Sequence, residues 1–371
     1  MITHLYIDNF KTLIDFNMSC HNLTCLIGLN NSGKTTIVQA IDFLSYVASG
    51  QVLNFLKLKN WDIEEIKSYQ LTGKQSINFN LVFHLNNNTY SWSGEFLLNL
   101  LFCKTERIIR KNNNEEVLLD VNQDSYQLDN RSLKSIDFAY EGSILAFLKE
   151  KLLTDELIQV KHFLTSIKSL DLLNPQLLIK PSKKIEQTMM YGGENLAGFL
   201  SKLSNEQKEK VSKQLRHLFK KFDNFQVKTN DSGRRELSIS EKTRIDDISI
   251  DSKHMSDGFL RLFAIFSQLQ TDYSVLLFDE IENGLNHELI EYVLDEMLIS
   301  KKQIILTTHS PMILNFLEDD IALQSVKYIK NNDETGITFA CNFFETPEVK
   351  AKLDYMGPGE IYANIDLKEV L

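Results

Sequence analysis

No apolar stretch of this chain is long enough to span a bilayer, which excludes a helical membrane protein. The N-terminus, Met1-Ile2-Thr3-His4-Leu5-Tyr6-Ile7, lacks the basic stretch and apolar segment of a secretory signal and reads instead as the start of a strand. Cysteine is scarce. The four present, Cys20, Cys25, Cys103 and Cys341, fit no metal-ligand spacing and read as free thiols of a reducing cytosol. Positive charge is in deficit. A net charge of −10 argues against sequence-independent DNA binding by the whole surface, because duplex affinity comes from neutralised phosphates; a local basic patch is still allowed. There is no long heptad array and no internal repeat, so long coiled-coil arms are excluded. With 43% hydrophobic residues among 371, the chain can bury a core and form about two domains, or one large domain with an insertion. A soluble, cytoplasmic protein is expected.

What is present is strongly patterned. Residues 28–36 read Gly28-Leu29-Asn30-Asn31-Ser32-Gly33-Lys34-Thr35-Thr36, the phosphate-binding pattern G-x-x-x-x-G-K-[ST]. The apolar run Leu23-Thr24-Cys25-Leu26-Ile27 before it predicts a buried strand, and residues 36–44 after it have apolar side chains at helical spacing. A strand, a Gly-rich turn and a helix N-terminus together place backbone N–H groups around a polyphosphate. Asn30, Asn31, Ser32, Gly33, Lys34, Thr35 and Thr36 are therefore candidate nucleotide-binding residues. Lys34 would reach the β- and γ-phosphates and the Thr35 hydroxyl would ligate Mg²⁺.

A second constellation lies far downstream. Ser274-Val275-Leu276-Leu277-Phe278-Asp279-Glu280 is a continuous apolar run, expected as a doubly buried strand, ending in two carboxylates. Carboxylates there fall at the sheet edge where α/β folds bind ligands. Asp279 would hold Mg²⁺, directly or through water, and Glu280 would polarise the attacking water. Another buried strand, residues 302–308, leads to His309, placed to touch a γ-phosphate. Between the two halves, Met255-Ser256-Asp257-Gly258 opens an apolar-periodic helix over residues 259–269. Ser256 and Gly258 at a helix N-terminus are a candidate phosphate contact; a plain capped helix start is the alternative.

These residues in this order resemble the ATP-binding-cassette (ABC) ATPases of the branch that includes structural-maintenance-of-chromosomes (SMC) heads, RecF and overcoming-lysogenization-defect (OLD) proteins. Met255-Ser256-Asp257-Gly258 is similar to the family's signature motif and Ile7-Asp8-Asn9-Phe10-Lys11 to the opening strand of this branch. Glu282-Asn283-Gly284-Leu285-Asn286 stands where the family has its D-loop, and His309 where it has its switch histidine. Asp257 departs from the usual glycine and Asn286 from the usual Asp. Gln70 and Gln75 are both candidates for the Q-loop glutamine. The resemblance implies an α/β fold: an ABC-ATPase head with a mixed central sheet and an N-terminal antiparallel β-subdomain, interrupted by a helical insertion. It implies ATP hydrolysis to ADP and phosphate with Mg²⁺, and two heads dimerising head to tail around ATP. Ser256 and Gly258 would then act in trans, and Lys34, Thr35, Asp279, Glu280 and His309 in cis.

On that frame, residues 1–120 form the first part of the head (phosphate loop and β-subdomain), 121–222 the helical insertion, and 223–371 the second part with signature, acidic strand, switch histidine and C-terminal hairpin. Strands are expected at 5–7, 13–16, 76–85 and 89–93, the last two as a hairpin around Asn86-Asn87-Asn88, with a further pair within 104–120. Helices are expected at 144–153, 160–173, after Gly192-Gly193, and at 207–221. Strands return at 224–228 and 236–240, and a hairpin at 326–329 and 337–340.

Within the branch, membrane-transporter ATPases lack an opening like residues 7–11 and a helical insert of this size before the signature. Hexameric AAA+ motors use a sensor Asn where this chain has His309, and the N-K-x-D motif of small GTPases is missing. OLD proteins carry a C-terminal toprim nuclease with an acidic metal cluster. After His309 this chain has too little length for one, and Glu318-Asp319-Asp320 reads as a solvated loop. The chain thus resembles a stand-alone OLD-type ATPase, like the sensor halves of two-component anti-phage systems such as PARIS and Septu. That implies a homo-oligomeric sensor or scaffold controlling a separately encoded nuclease or toxin. The alternative is a RecF-like DNA-repair ATPase. The basic stretch from Lys202 through Arg235 is either a DNA-contacting face or a solvated one with interspersed Glu206 and Glu209. A third reading is ATP binding for assembly only, against which the intact Asp279-Glu280 pair argues.

Overall fold

In chain order the strands are β1 (Ile2–Asp8), β2 (Phe16–Ser19), β3 (Leu23–Ile27), β4 (Ser76–Leu85), β5 (Asn88–Leu97), β6 (Phe102–Lys111), β7 (Glu115–Asn122), β8 (Ser125–Leu128), β9 (Lys134–Ser135), β10 (Ile167–Leu170), β11 (Phe222–Thr229), β12 (Arg235–Lys242), β13 (Asp247–Asp251), β14 (Val275–Phe278), β15 (Gln303–Thr307), β16 (Val326–Asn331) and β17 (Thr338–Asn342). The computed structural model describes every residue except 113, 130, 171–172, 243–245, 354 and 368–371. Two units result: Met1–Ser169 with Ser274–Phe278 and Gln303–Leu371, and Leu170–Tyr273 with Asp279–Lys302.

The first unit holds two sheets. One is eight-stranded in the order β2-β1-β4-β5-β6-β7-β8-β9 and antiparallel between neighbours. Strict alternation builds it: Ile77, Phe79, Leu81 and Phe83 of β4 are buried, while Asn78, Asn80 and Val82 point to the other, more exposed face. On that face Tyr6, Asn80, Ser93, Arg107, Asp120 and Gln127 stand in cross-strand register. The hairpin of β4 and β5 turns on Asn86 and Asn87 alone, with φ of 49° and 64°, and Asn88 already pairs with Leu85. Two consecutive left-handed residues give the turn whose twist matches the strands, and asparagine tolerates them.

The other sheet is six-stranded in the order β10-β14-β15-β3-β16-β17; β14, β15, β3 and β16 are parallel and β17 pairs antiparallel with β16. β3, β14 and β15 are buried at every residue, which is why they read as continuous runs. The helix Lys34–Ser49 shares one core with both sheets. Its Phe43 stands edge-on to Phe96 of β5 at 5.4 Å, and Leu26, Leu277 and Ile305 join the same cluster.

The second unit pairs β11, β12 and β13 antiparallel, the first two where strands are expected at 224–228 and 236–240. Its helix Asn205–Leu218 is capped by Ser204, reciprocated by Gln207. The helix Asp257–Leu269 buries Phe263 against Phe225 of β11 at 4.8 Å.

Several boundaries differ from the sequence reading. Residues Glu115–Asn122 and Ser125–Leu128 form β7 and β8 of the large sheet. The stretch 144–153 is α-helical over Ile144–Phe147, with a 3₁₀ turn over Glu150–Leu152. Helix Asp155–Thr165 stops early because the chain then joins the six-stranded sheet as β10; the Ser274 N–H donates to Ser166 there at 3.0 Å. Of the predicted helix 160–173, residues 171–172 lie outside the described residues. Leu13 makes an isolated antiparallel bridge to Phe10, residues 14–15 bend with Asp15 at φ 47°, and β2 begins at Phe16.

Candidate active site

β3 ends at Ile27, and Gly28 leaves it at φ 146°. A Cβ on Gly28 would stand 2.2 Å from the Ile329 carbonyl oxygen of β16, and one on Gly33, at φ 103°, would stand 2.3 Å from the Thr338 hydroxyl of β17. The neighbouring strands therefore demand both glycines. The helix Lys34–Ser49 starts directly after Gly33 with no side-chain cap, so its positive end opens onto the loop. Asn30, Asn31 and Thr35 are exposed, Thr36 half-buried, Ser32 and Lys34 buried. The Lys34 ammonium donates to the Gly28 and Leu29 carbonyls at 2.9 and 2.8 Å, folded over its own loop. A cleft of about 430 Å³ runs along residues 29–32, walled by residues 328–333 of β16 and its turn.

β15 lies beside β3, and the Thr308 N–H donates to the Leu26 carbonyl at 3.1 Å. Exposed His309 thus leaves the sheet at the edge where the phosphate loop begins. β14 runs parallel to β15 with Phe278 opposite Leu306, so the strand that precedes Asp279 and Glu280 ends at that same edge. Glu280 has φ 49°, a strained value for this residue type. Its carboxylate accepts from the Asn283 amide at 2.9 Å. Asn286 caps the helix His287–Ile299 by accepting from the Leu289 N–H at 3.0 Å, a duty Asn performs as well as Asp.

Ser256 caps the helix Asp257–Leu269, its Oγ accepting from the Phe259 N–H at 3.3 Å. A Cβ on Gly258 would stand 2.8 Å from the Gly284 carbonyl oxygen, so the first turn of this helix lies against the loop that follows Glu280. Of the predicted set, the phosphate loop and His309 belong to the first unit, and Ser256, Gly258, Asp279 and Glu280 to the second. Gln70 donates to the Thr335 carbonyl, and Gln75 is exposed.

The glycine cradle and uncapped helix end fit a polyphosphate. The Thr35 hydroxyl and Asp279 carboxylate are the oxygen donors a hard divalent cation takes. Among the described residues no cluster of three His, Cys, Asp or Glu side chains could hold a metal by itself. The four cysteines are free thiols; burial pushes Cys20 up to about 12 and Cys341 up to about 11.

Three contributors escaped the sequence reading. Thr338 sits across β17 from the loop and bonds to Thr12 and Ser32. Lys11 stacks its ammonium 3.3 Å from the Trp61 ring centroid and donates to Gln39 at 3.0 Å. Burial, with Lys59 nearby, holds it down to about 8. Arg261 is the third, and only its i+3 spacing from Gly258 could have signalled it.

The two sheets and the phosphate loop between strand and helix give the chain the fold of an SMC-type head with a nucleotide-binding loop. The chain belongs to the family described as "AAA domain, putative AbiEii toxin, Type IV TA system", which it matches over residues 23–315. No curated protein matches it. Among solved structures it is similar to an Smc head bound to the C-winged helix domain of ScpA, with TM-score 0.55, 14% identity, and 92% of this chain and 97% of that one covered. It is also similar to the Smc head domain with an extended coiled coil bound to the C-terminal domain of ScpA, from Pyrococcus furiosus, with TM-score 0.53, 13% identity, and 92% and 95% covered. At these identities the likeness is one of fold. No helix among the described residues is long and apolar enough to cross a membrane.

Proposed function

We propose that this chain hydrolyses ATP within a head-to-tail homodimer and that its nucleotide state controls a separately encoded effector, a nuclease or toxin. The observation that supports the ATPase part is the single sheet edge at which three parallel strands end: β3 before the phosphate loop, β15 before His309 and β14 before Asp279 and Glu280. The triphosphate lies in the Gly28–Gly33 cradle, and Lys34 turns from its loop carbonyls to the β- and γ-phosphates. Thr35 and Asp279 would hold Mg²⁺, which would supply charge neutralisation on the phosphates. Glu280 accepts a proton as a water oxygen bonds to the γ-phosphorus; the bond to the β–γ bridging oxygen breaks, and ADP and phosphate leave. His309 contacts the γ-phosphate and registers its loss. Ser256 and Gly258 grip the nucleotide of the partner subunit, so binding closes the dimer and hydrolysis opens it.

The effector part draws on the family's description, which names a toxin and a toxin–antitoxin system, and on Smc heads whose solved complexes hold a second protein. The repair reading rests on the basic stretch, where Lys210 pairs with Glu206 at 2.8 Å and Arg216 pairs with Glu209. Those pairs favour a solvated face. Co-purification of tagged Glu280→Gln with Mg-ATP from its native host separates the two. A stoichiometric nuclease or toxin supports effector control; nuclease-sensitive DNA without a protein partner replaces it with the repair reading.

A further inference from the structure

The helix that Ser256 caps and the loop that follows Glu280 touch at two successive turns. At the first, Gly258 lies under the Gly284 carbonyl oxygen with room for no side chain, a Cβ falling 2.8 Å away. At the second, Arg261 lies under Gly284 itself. A Cβ on Gly284 would stand 3.1 Å from Arg261 Nε and 3.3 Å from its Cδ, and Gly284 holds φ 71° besides. Arg261 Nε is shielded from solvent and has no hydrogen-bond partner among the described residues. The carboxylates whose charge its guanidinium meets are Asp257, one turn back on its own helix, and Glu280. A half-buried arginine with an unsatisfied N–H, on the first turns of one helix and packed against Gly284 of the loop that follows Glu280, is placed to move when either element does.

We propose that Arg261 is a positioning residue that couples Ser256 and Gly258 to Glu280 of the same chain. This rests on the dimeric ATPase reading above. There, Ser256 engages the partner's nucleotide while Glu280 serves the nucleotide of its own subunit. Arg261 then links the two sites: engagement of one shifts the helix start, and through Arg261 and Gly284 the loop carrying the base of the other. The reach is one helical turn, and all of the participants lie in one unit.

The test is steady-state ATP hydrolysis over a range of ATP concentrations for wild type, Arg261→Gln and Arg261→Lys, with binding of a fluorescent ATP analogue and thermal unfolding in parallel. Wild type is expected to turn over with a Hill coefficient above 1. Arg261→Gln lowers kcat roughly tenfold, brings the Hill coefficient to 1, and leaves analogue affinity and unfolding temperature unchanged. Arg261→Lys, which keeps the charge but loses the planar fork, restores part of kcat. Gly284→Ala, which presses on the contact from the other side, reproduces the loss of cooperativity and covers the case of a glutamine variant that does not fold. An unaltered Hill coefficient in Arg261→Gln and Gly284→Ala overturns the coupling role while leaving the ATPase reading intact. Wild-type protein that neither binds nor hydrolyses ATP sinks that reading, and this one with it.

Discussion

Thr338 and Gly33 are in direct contact: the threonine hydroxyl occupies the ground on which any side chain at residue 33 would stand, 2.3 Å from the position of a Cβ. The same hydroxyl is 2.8 Å from the Thr12 hydroxyl and 3.3 Å from the Ser32 carbonyl oxygen. The phosphate loop is thus shaped from outside itself. Gly33→Ala should abolish binding of a fluorescent ATP analogue in titration, since it meets both the clash and a left-handed φ costing about 1–3 kcal/mol. Thr338→Ser, which keeps the hydroxyl, should bind normally. Wild-type affinity in Gly33→Ala would show that the loop yields where this packing says it cannot.

Glu280→Gln should bind ATP with wild-type affinity, hydrolyse it at least about a hundredfold more slowly, and accumulate as a dimer in Mg-ATP. Light scattering with and without nucleotide reads the dimer, and phosphate release reads the turnover. Wild-type turnover would remove Glu280 from the chemistry.

Lys11 supplies a pH signature. Burial, then Lys59, lowers it from 10.5 to about 8, so between those values the unfolded chain binds a proton that the folded chain does not. Stability therefore rises with pH across that window on account of this group. Lys11→Met should lose that rise. Urea unfolding of both proteins at pH 7.5, 9 and 10.5 measures it, and parallel pH profiles would contradict the assignment.

Glu106 is buried on β6 and accepts from the Trp92 indole N–H at 2.8 Å, the Ile144 N–H at 3.0 Å and the Ser143 hydroxyl. Burial raises its carboxyl, and the three donors work against that. Glu106→Gln has one acceptor oxygen for three donors and should cost about 1–3 kcal/mol in denaturant unfolding. No loss of stability would mean that the amide is accommodated by repacking.

The main elements of the head could be read from the chain where a single force dominates. Leu23–Ile27 and Val275–Phe278 are buried on both faces and read as continuous apolar runs, and β4 alternates because only one of its faces meets the core. β10 was invisible because Ile167–Leu170 continues the apolar spacing of the helix before it; only a vacant sheet edge beside β14 decides its state. β13 is nearly all exposed and carries no hydrophobic pattern. At the site, the glycines and the lysine of the phosphate loop announced themselves. Thr338 and Arg261 did not, since their importance comes from what lies across from them and not from their neighbours in sequence.

β3, which leads into the phosphate loop, is flanked in its sheet by β15 and β16, both of which come some 275 residues or more later in the chain. At roughly 5–20 residues per second of synthesis, tens of seconds separate the strand from its neighbours. Throughout that time a strand destined to be buried at every residue has two open edges, an arrangement prone to pairing with the wrong chain. The central sheet is a late event in the birth of this protein, and a ribosome that stalls before β15 releases a phosphate loop with nothing to hold it.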